Sequence, residues 1–337
     1  MSELLSWAPP AIAWDRDNIG LLVGRRDASV SRVLLCLDVT PEVVSEAVRE
    51  EAELIIAHHP IIFHPLKALR TDETRGAMLA ELLRRNINVI ALHTNADATR
   101  HGLNHILAQS LGLQEIEALD PVKGHLRVLS LRIRRSEGET IVLPALAGAE
   151  EQVEYDCRVI EDDWMRIDLR APSWRTAEMR RKFGLRLADI PHSFSEYRIE
   201  DGLPDYGIGS IGTLPQEMKV QTFLASVKHA LACRMLRVSP YRKDDTIRRI
   251  AVCSGAGSSC IPTAIAAGAD ALVTGDLTHH VFLDYQRAIL LVDAGHYETE
   301  HLFIGLCAAR LESAVFENNE KIDILQARTN TNPIWFE

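Results

Sequence analysis

Short apolar runs, each closed by turn-forming or polar residues, recur towards both ends of this 337-residue chain. The runs 33–37, 54–57 and 89–92 are too short for helices and read as buried strands. Between them the apolar positions change to helical spacing. Thr40 predicts an N-cap with Pro41 at the first helical position of a helix to about Glu51. Residues 72–85 place Met78, Leu79, Leu82 and Leu83 on one face, and a further helix over 103–111 is stopped by Gly112. The last third repeats the arrangement, with strands at 250–253, 271–274 and 289–292 and a short final one at 322–325. Helices over 217–231, to about 267, over 278–287 and over 297–316, the longest, complete it. Two blocks of three β-α units predict an α/β fold of two β-α-β blocks with largely parallel sheets and right-handed crossovers.

The middle breaks this rhythm. Residues 126–134 and 153–169 alternate apolar and polar positions, as half-exposed antiparallel strands do, and 175–183 has helical spacing. The domain reading is a core of 1–123 with 204–337, and a small inserted α+β domain at 124–203. Glycine-rich 202–212 reads as the return linker.

Composition narrows the function classes. A hydrophobic fraction of 47% with 25% charged residues is that of an ordinary globular protein. No apolar stretch approaches the ~18–20 residues of a membrane span, and the N-terminus lacks a basic start, so neither membrane insertion nor a signal peptide is expected. The net charge of -10 argues against general nucleic-acid binding, which rests on neutralising phosphates. Residues 123–200 hold 14 Lys/Arg and 14 Asp/Glu, so the rest of the chain carries the whole -10. Six cysteines without CxxC spacing read as free thiols, which fits a cytoplasmic protein.

The chemistry gathers where the strands end. His58 and His59 follow 54–57, Asp97 comes shortly after 89–92, and His296 with Glu300 follows 289–292. Parallel sheets place their sites at the carboxyl ends of the strands. Neighbouring strand residues point to opposite sides, so the paired imidazoles would each serve one member of a metal pair. His296 and Glu300, four apart at a helix start, share a face. Such mixed N/O ligation suits Zn, Mn, Fe, Ni or Co without choosing among them, and two ions would polarise a substrate oxygen and acidify a bound water. His93, Asp276, His279 and His280 are candidates for supporting or substrate contacts. The turn 254–259 can present backbone N–H groups to phosphate, but it lacks the Lys-Ser/Thr of a Walker loop. Lys67, Arg70 and Arg100 are candidate anion contacts. No Ser-His-Asp or Cys-His nucleophile arrangement is visible, so no catalytic residue is assigned.

Taken in order, Asp17-Asn18-Ile19-Gly20, His58-His59-Pro60, His93-Thr94-Asn95-Ala96-Asp97, Gly207-Ile208-Gly209, Thr274-Gly275-Asp276 and Asp293-Ala294-Gly295-His296-Tyr297-Glu298-Thr299-Glu300 resemble the NIF-three-like family, the GTP cyclohydrolase type 2 homologues. The resemblance covers about 14–123 and 204–330. It implies a dinuclear metal centre of two divalent ions at His58, His59, Asp97, His296 and Glu300, with Glu300 bridging. It also implies a homohexamer, a trimer of dimers, and an insert similar to PII or CutA-type proteins. Asn104-His105 departs from the Asn-Asp common at that place, and the chain begins close to the first motif. The expected function is a metal-dependent hydrolase, of GTP cyclohydrolase type or acting on phosphoesters or nucleotides. The expected ligand is a nucleotide or phosphorylated small molecule. The reading from another class is a metal-binding regulatory or scaffold protein without turnover.

Overall fold

The computed structural model describes residues 2–147, 153–161, 163–335 and 337. The chain divides into two compact units, Met1–Asp120 with Asp205–Glu337, and Pro121–Pro204.

The first unit opens with β1 (Gly20–Val23), β2 (Arg32–Cys36), β3 (Leu54–Ala57) and β4 (Asn88–Ala91), and β5 (Gln114–Lys123) leads out of it. The second unit contains β6 (Leu126–Arg134), β7 (Glu154–Glu161), β8 (Trp164–Pro172) and β9 (His192–Ile199). The chain returns through β10 (Gly202–Lys219), followed by β11 (Arg237–Val238), β12 (Thr246–Ala256), β13 (Ala271–Gly275), β14 (Leu290–Asp293) and β15 (Asp323–Gln326).

Two sheets organise the first unit. One has the order β1-β4-β3-β2-β15, the other β11-β14-β13-β12-β10-β5. Each has a parallel centre, β15-β2-β3-β4 in the first and β12-β13-β14 in the second. Antiparallel strands flank these centres: β1 on β4, β10 on β12, and β11 on β14. The sheets are therefore mixed, where the sequence predicted largely parallel ones. The difference comes from strands outside the β-α-β rhythm, which carry no mark of their direction.

The central strands are apolar at successive positions because both faces are covered. Leu34, Ile55 and Val89 pack into one cluster, while Leu35, Ile56 and Ile90 pack into another on the opposite face. The second sheet divides in the same way, with Val252, Val273 and Val292 on one side and Ala251, Leu272 and Leu291 on the other. The helix Pro41–Arg49 starts as its sequence predicts, Thr40 Oγ1 accepting from the Val43 N–H at 3.3 Å.

Two other expectations are corrected. Residues 202–212 are no linker but the first part of β10, and their glycines let backbones approach. A Cβ at Gly207 would stand 2.5 Å from the Asp120 carbonyl oxygen. The single long helix over 297–316 is two, His296–Glu300 and Leu302–Glu317, with His301 between them.

In the second unit β7-β8-β6-β9 forms an antiparallel sheet with the helix Ser173–Arg186 between β8 and β9. Helical turns over 135–147 lie between β6 and β7, so the order is that of a split β-α-β, ferredoxin-like arrangement. The expected strands over 153–169 include residue 162, which lies outside the described residues.

Candidate metal centre

The carboxyl ends of β2, β3 and β4 deliver Asp38, His58 with His59, and His93; β13 and β14 deliver Asp276 and His296. β3 stops at Ala57, and the His58 and His59 N–H groups donate to the Cys36 and Leu37 carbonyls at 3.3 and 2.9 Å. Beyond the strand its alternation lapses. The two imidazoles do not diverge as sequence predicted; their centroids are 5.0 Å apart.

Each of four imidazoles is tethered through Nδ1. His58 Nδ1 meets the Leu92 carbonyl at 2.8 Å, and His59 Nδ1 meets Asp38 at 2.7 Å. His93 Nδ1 meets Asp17 at 2.8 Å, and His296 Nδ1 meets Asp276 at 2.7 Å. Such tethers fix ring orientation and leave Nε2 for a ligand. Among the described residues, His58, His59 and His93 form one group able to hold a metal ion, and His59, His296 and Glu300 form another.

Glu300 is the hub. Its Oε2 lies 3.0 Å from Nε2 of both His59 and His296, and its Oε1 is 3.8 Å from His58 Nε2. Asp97 Oδ1 stands 3.8 Å from His58 Nε2 and accepts from Ser254 Oγ at 2.8 Å; it belongs to neither three-residue group. Backbone fits around the hub. At Gly255, with φ +58°, a Cβ would come 2.1 Å from Glu300 Oε1.

Electrostatics favour cations. Although burial opposes it, contact with His296, His58 and His59 holds the Glu300 carboxyl well below its usual value. Burial also opposes charge on His59, yet Asp38 and Glu300 raise it to about 10. Contact with Glu300 raises His296 to about 9. Asp17 is brought down to about 2, burial being outweighed by His93 and Thr94. Burial pushes Asp97 upward.

The donor set fits divalent ions. His58 Nε2 and Glu300 Oε2 are buried and close no hydrogen bond. Nε2 atoms of His59 and His296 face each other at 3.4 Å beside the same carboxylate oxygen. Buried polar atoms normally find partners, so atoms left without one in a cluster of ligand-type groups mark a place for cations.

Other predicted residues divide. Asp276 holds His296, whereas His279 and His280 are exposed at the start of the helix His279–Tyr285 and belong to neither group. The segment 254–259 is no phosphate cradle. The N–H groups of Ser254, Gly255 and Gly257 are taken by Asn104, Thr299 and Thr274. Arg70 pairs with Asp72, Arg100 with Asp205, and Lys67 is exposed. Sequence reasoning missed Asp17 and Asp38 as tethers. Their one signal is position, Asp38 just past β2 and Asp17 just ahead of β1. A cavity of about 120 Å³ opens on the cluster, lined among others by Trp14, His93, Asp97, Cys253, Ser259 and Glu300.

Relatives share this architecture. A protein of Bacillus subtilis named GTP cyclohydrolase 1 type 2 homolog is 32% identical over 359 aligned positions, covering 98% of this chain and 95% of its own length. The crystal structure of a Bacillus cereus protein related to NIF3 superposes with a TM-score of 0.84 at 31% identity, covering 100% of this chain and 97% of that one. A Staphylococcus aureus structure gives 0.79 at 27% identity with the same coverage. The model of the Duf34/NIF3 (NGG1p interacting factor 3) family matches residues 1–333, and the chain belongs to that family.

Proposed function

We propose that the chain is a hydrolase dependent on two divalent ions, acting on a C–N or phosphoester bond of a nucleotide. The name carried by its relatives favours GTP cyclohydrolase-type opening of the guanine imidazole ring. The observation that carries the reading is Glu300, whose buried carboxylate contacts three tethered imidazoles. His58, His59, Asp97, His296 and Glu300 would hold the ions, and His93 joins them on the side of His58. When bound, such ions supply Lewis acidity and lower the pKa of water.

The chain's own groups do the rest. Asp38, Asp276 and Asp17 keep three imidazoles aimed inward, so little reorganisation precedes reaction. The cavity of about 120 Å³ opens on the cluster, where the reacting end of a substrate would meet it.

The test incubates manganese-loaded and zinc-loaded protein with GTP, other nucleotides and phosphoesters, following ring opening by ultraviolet absorbance and mass. Turnover is expected in the wild type and is abolished in folded His58→Ala and Glu300→Ala. A chain that holds metal yet hydrolyses nothing would overturn the proposal and favour a metal-binding regulatory role.

A further inference from the structure

Beside the metal cluster lies a pair of thiols that the hydrolytic reading leaves unused. Cys253, in β12, and Cys260, at the end of the turn Ser258–Cys260, are both buried, and their sulfurs stand 3.3 Å apart. Cys253 and Ser259 line the cavity that opens on Asp97 and Glu300, so a small polar molecule entering it reaches Cys253, with the Cys260 sulfur in contact behind it. Gly257 admits this approach: a Cβ there would come 2.6 Å from Cys253 Cβ. Closing from 3.3 Å to a disulfide of about 2.05 Å needs a movement of about 1.2 Å.

We propose that Cys253 and Cys260 form a redox-modification site, a dithiol that a hydroperoxide converts to a disulfide within the loop gripping Asp97 and Glu300. That loop carries Ser254, which donates to Asp97, and Gly255, packed on Glu300 and bonded to Thr299. Cys253, which lines the cavity, is the attacking sulfur, and Cys260, in contact with it, resolves it. The Cys253 sulfur attacks one peroxide oxygen, the O–O bond breaks, and the thiol proton passes to the departing oxygen, which leaves as water. Cys253 becomes a sulfenic acid. The Cys260 sulfur then attacks that sulfur, the S–O bond breaks, and a second water departs with the Cys260 proton. Two thiols are oxidised by two electrons and one hydrogen peroxide is reduced to two waters.

The experiment treats full-length folded protein with hydrogen peroxide, then denatures, alkylates and digests it with trypsin. Residues 250–287 contain no internal Lys or Arg and only these two cysteines, so one peptide reports the pair. The expected peptide is two hydrogens lighter, unalkylated and restored by dithiothreitol. A fully alkylated peptide at a peroxide level that oxidises exposed Cys157 overturns the proposal. So does a disulfide that forms only after unfolding in urea. In Cys260→Ser, Cys253 is expected to carry a sulfenic acid trapped by a 1,3-dione, and a Cys253 that stays fully alkylatable overturns its assignment as the attacking sulfur. The coupling to the loop rests on the proposed metal centre and has its own readout. Oxidation is expected to weaken manganese uptake about tenfold, reversibly, and unchanged uptake by disulfide-containing protein overturns the coupling alone.

Discussion

The two units handle buried polarity in opposite ways. In the first, His58, Thr94, Asn95, Asn104, Thr274, Thr299 and Glu300 are all buried, most of them around the same cluster. In the second, Ser130 and Thr176 are the buried polar residues among those described, inside a core of Leu129, Leu131, Ile133, Ile167 and Leu169. The Thr176 hydroxyl lies within hydrogen-bonding distance of the Ser173 carbonyl and of Glu196, so it finds an acceptor inside the unit. Charges of the second unit sit outside, as in Arg132 with Glu161. Polar groups cost stability when buried, and the first unit retains them where ligand-type atoms face each other. The contrast locates chemistry in one unit and packing in the other.

The sharpest way to break that contrast is Glu300→Gln, which keeps the shape and removes the charge shared by three imidazoles. Loss of manganese affinity on the order of 1000-fold is expected, beyond the 10–100-fold typical of residues that only support a ligand. Equilibrium dialysis with elemental analysis measures it, and circular dichroism confirms the fold. Retention of two ions per chain would remove Glu300 from the centre.

Leu131→Ala probes the other side. Leu131 is wholly buried in the second unit's core, and deleting its side chain costs about 2–5 kcal/mol of stability. Denaturant unfolding reads the loss, and at low temperature the metal content should equal that of wild type. A variant that lost its metal in step with its stability would dissolve the division of labour.

How far this division was legible in the sequence depended on the kind of signal. The runs 33–37, 54–57 and 89–92 became β2, β3 and β4 within a residue or so, because apolar runs bounded by turns leave few other solutions. His58, His59, His296 and Glu300 meet because the carboxyl ends of β3 in one sheet and of β14 in the other come to one place. Asp97 comes only to the side of His58, and His93 enters a group with the paired imidazoles. Where His93 and Asp97 fall relative to the paired imidazoles turns on how the helix Thr94–Ala98 leaves β4, which spacing does not encode. Asp17 and Asp38 were invisible as tethers, since one loop carboxylate resembles another until the fold sets a ring beside it. β10 was hidden for another reason. Glycines such as Gly209, at φ +68° with the Val252 carbonyl behind it, mimic a linker's composition while serving close backbone contact.

A pH experiment on metal-free protein sharpens the electrostatic side. His59 and His296, raised to about 10 and about 9, bind protons more tightly folded than unfolded, where the ordinary value is about 6.5. Their contribution to stability is complete below pH about 6.5 and is lost as pH rises through 9 and then 10. Thermal melts in chelator should show wild type falling more between pH 6.5 and 10 than His59→Gln, which lacks one of the two groups. Equal falls would mean that Glu300 and Asp38 do not hold a proton on His59.

The smallest effect belongs to the second unit's surface. Arg132 and Glu161 approach to 3.2 Å, with side chains 47% and 64% exposed, and Arg132 also lies 4.9 Å from the Trp164 ring centroid. Solvent screens such a pair, and the aromatic contact continues to hold the guanidinium when the carboxylate is neutralised. Glu161→Gln should therefore shift unfolding stability by less than about 0.5 kcal/mol and leave metal content unchanged. A loss of 2 kcal/mol or more would show that this unit, too, depends on specific polar partners. It would then have to be read as an electrostatic device, because apolar packing alone does not make a stability depend on one exposed carboxylate.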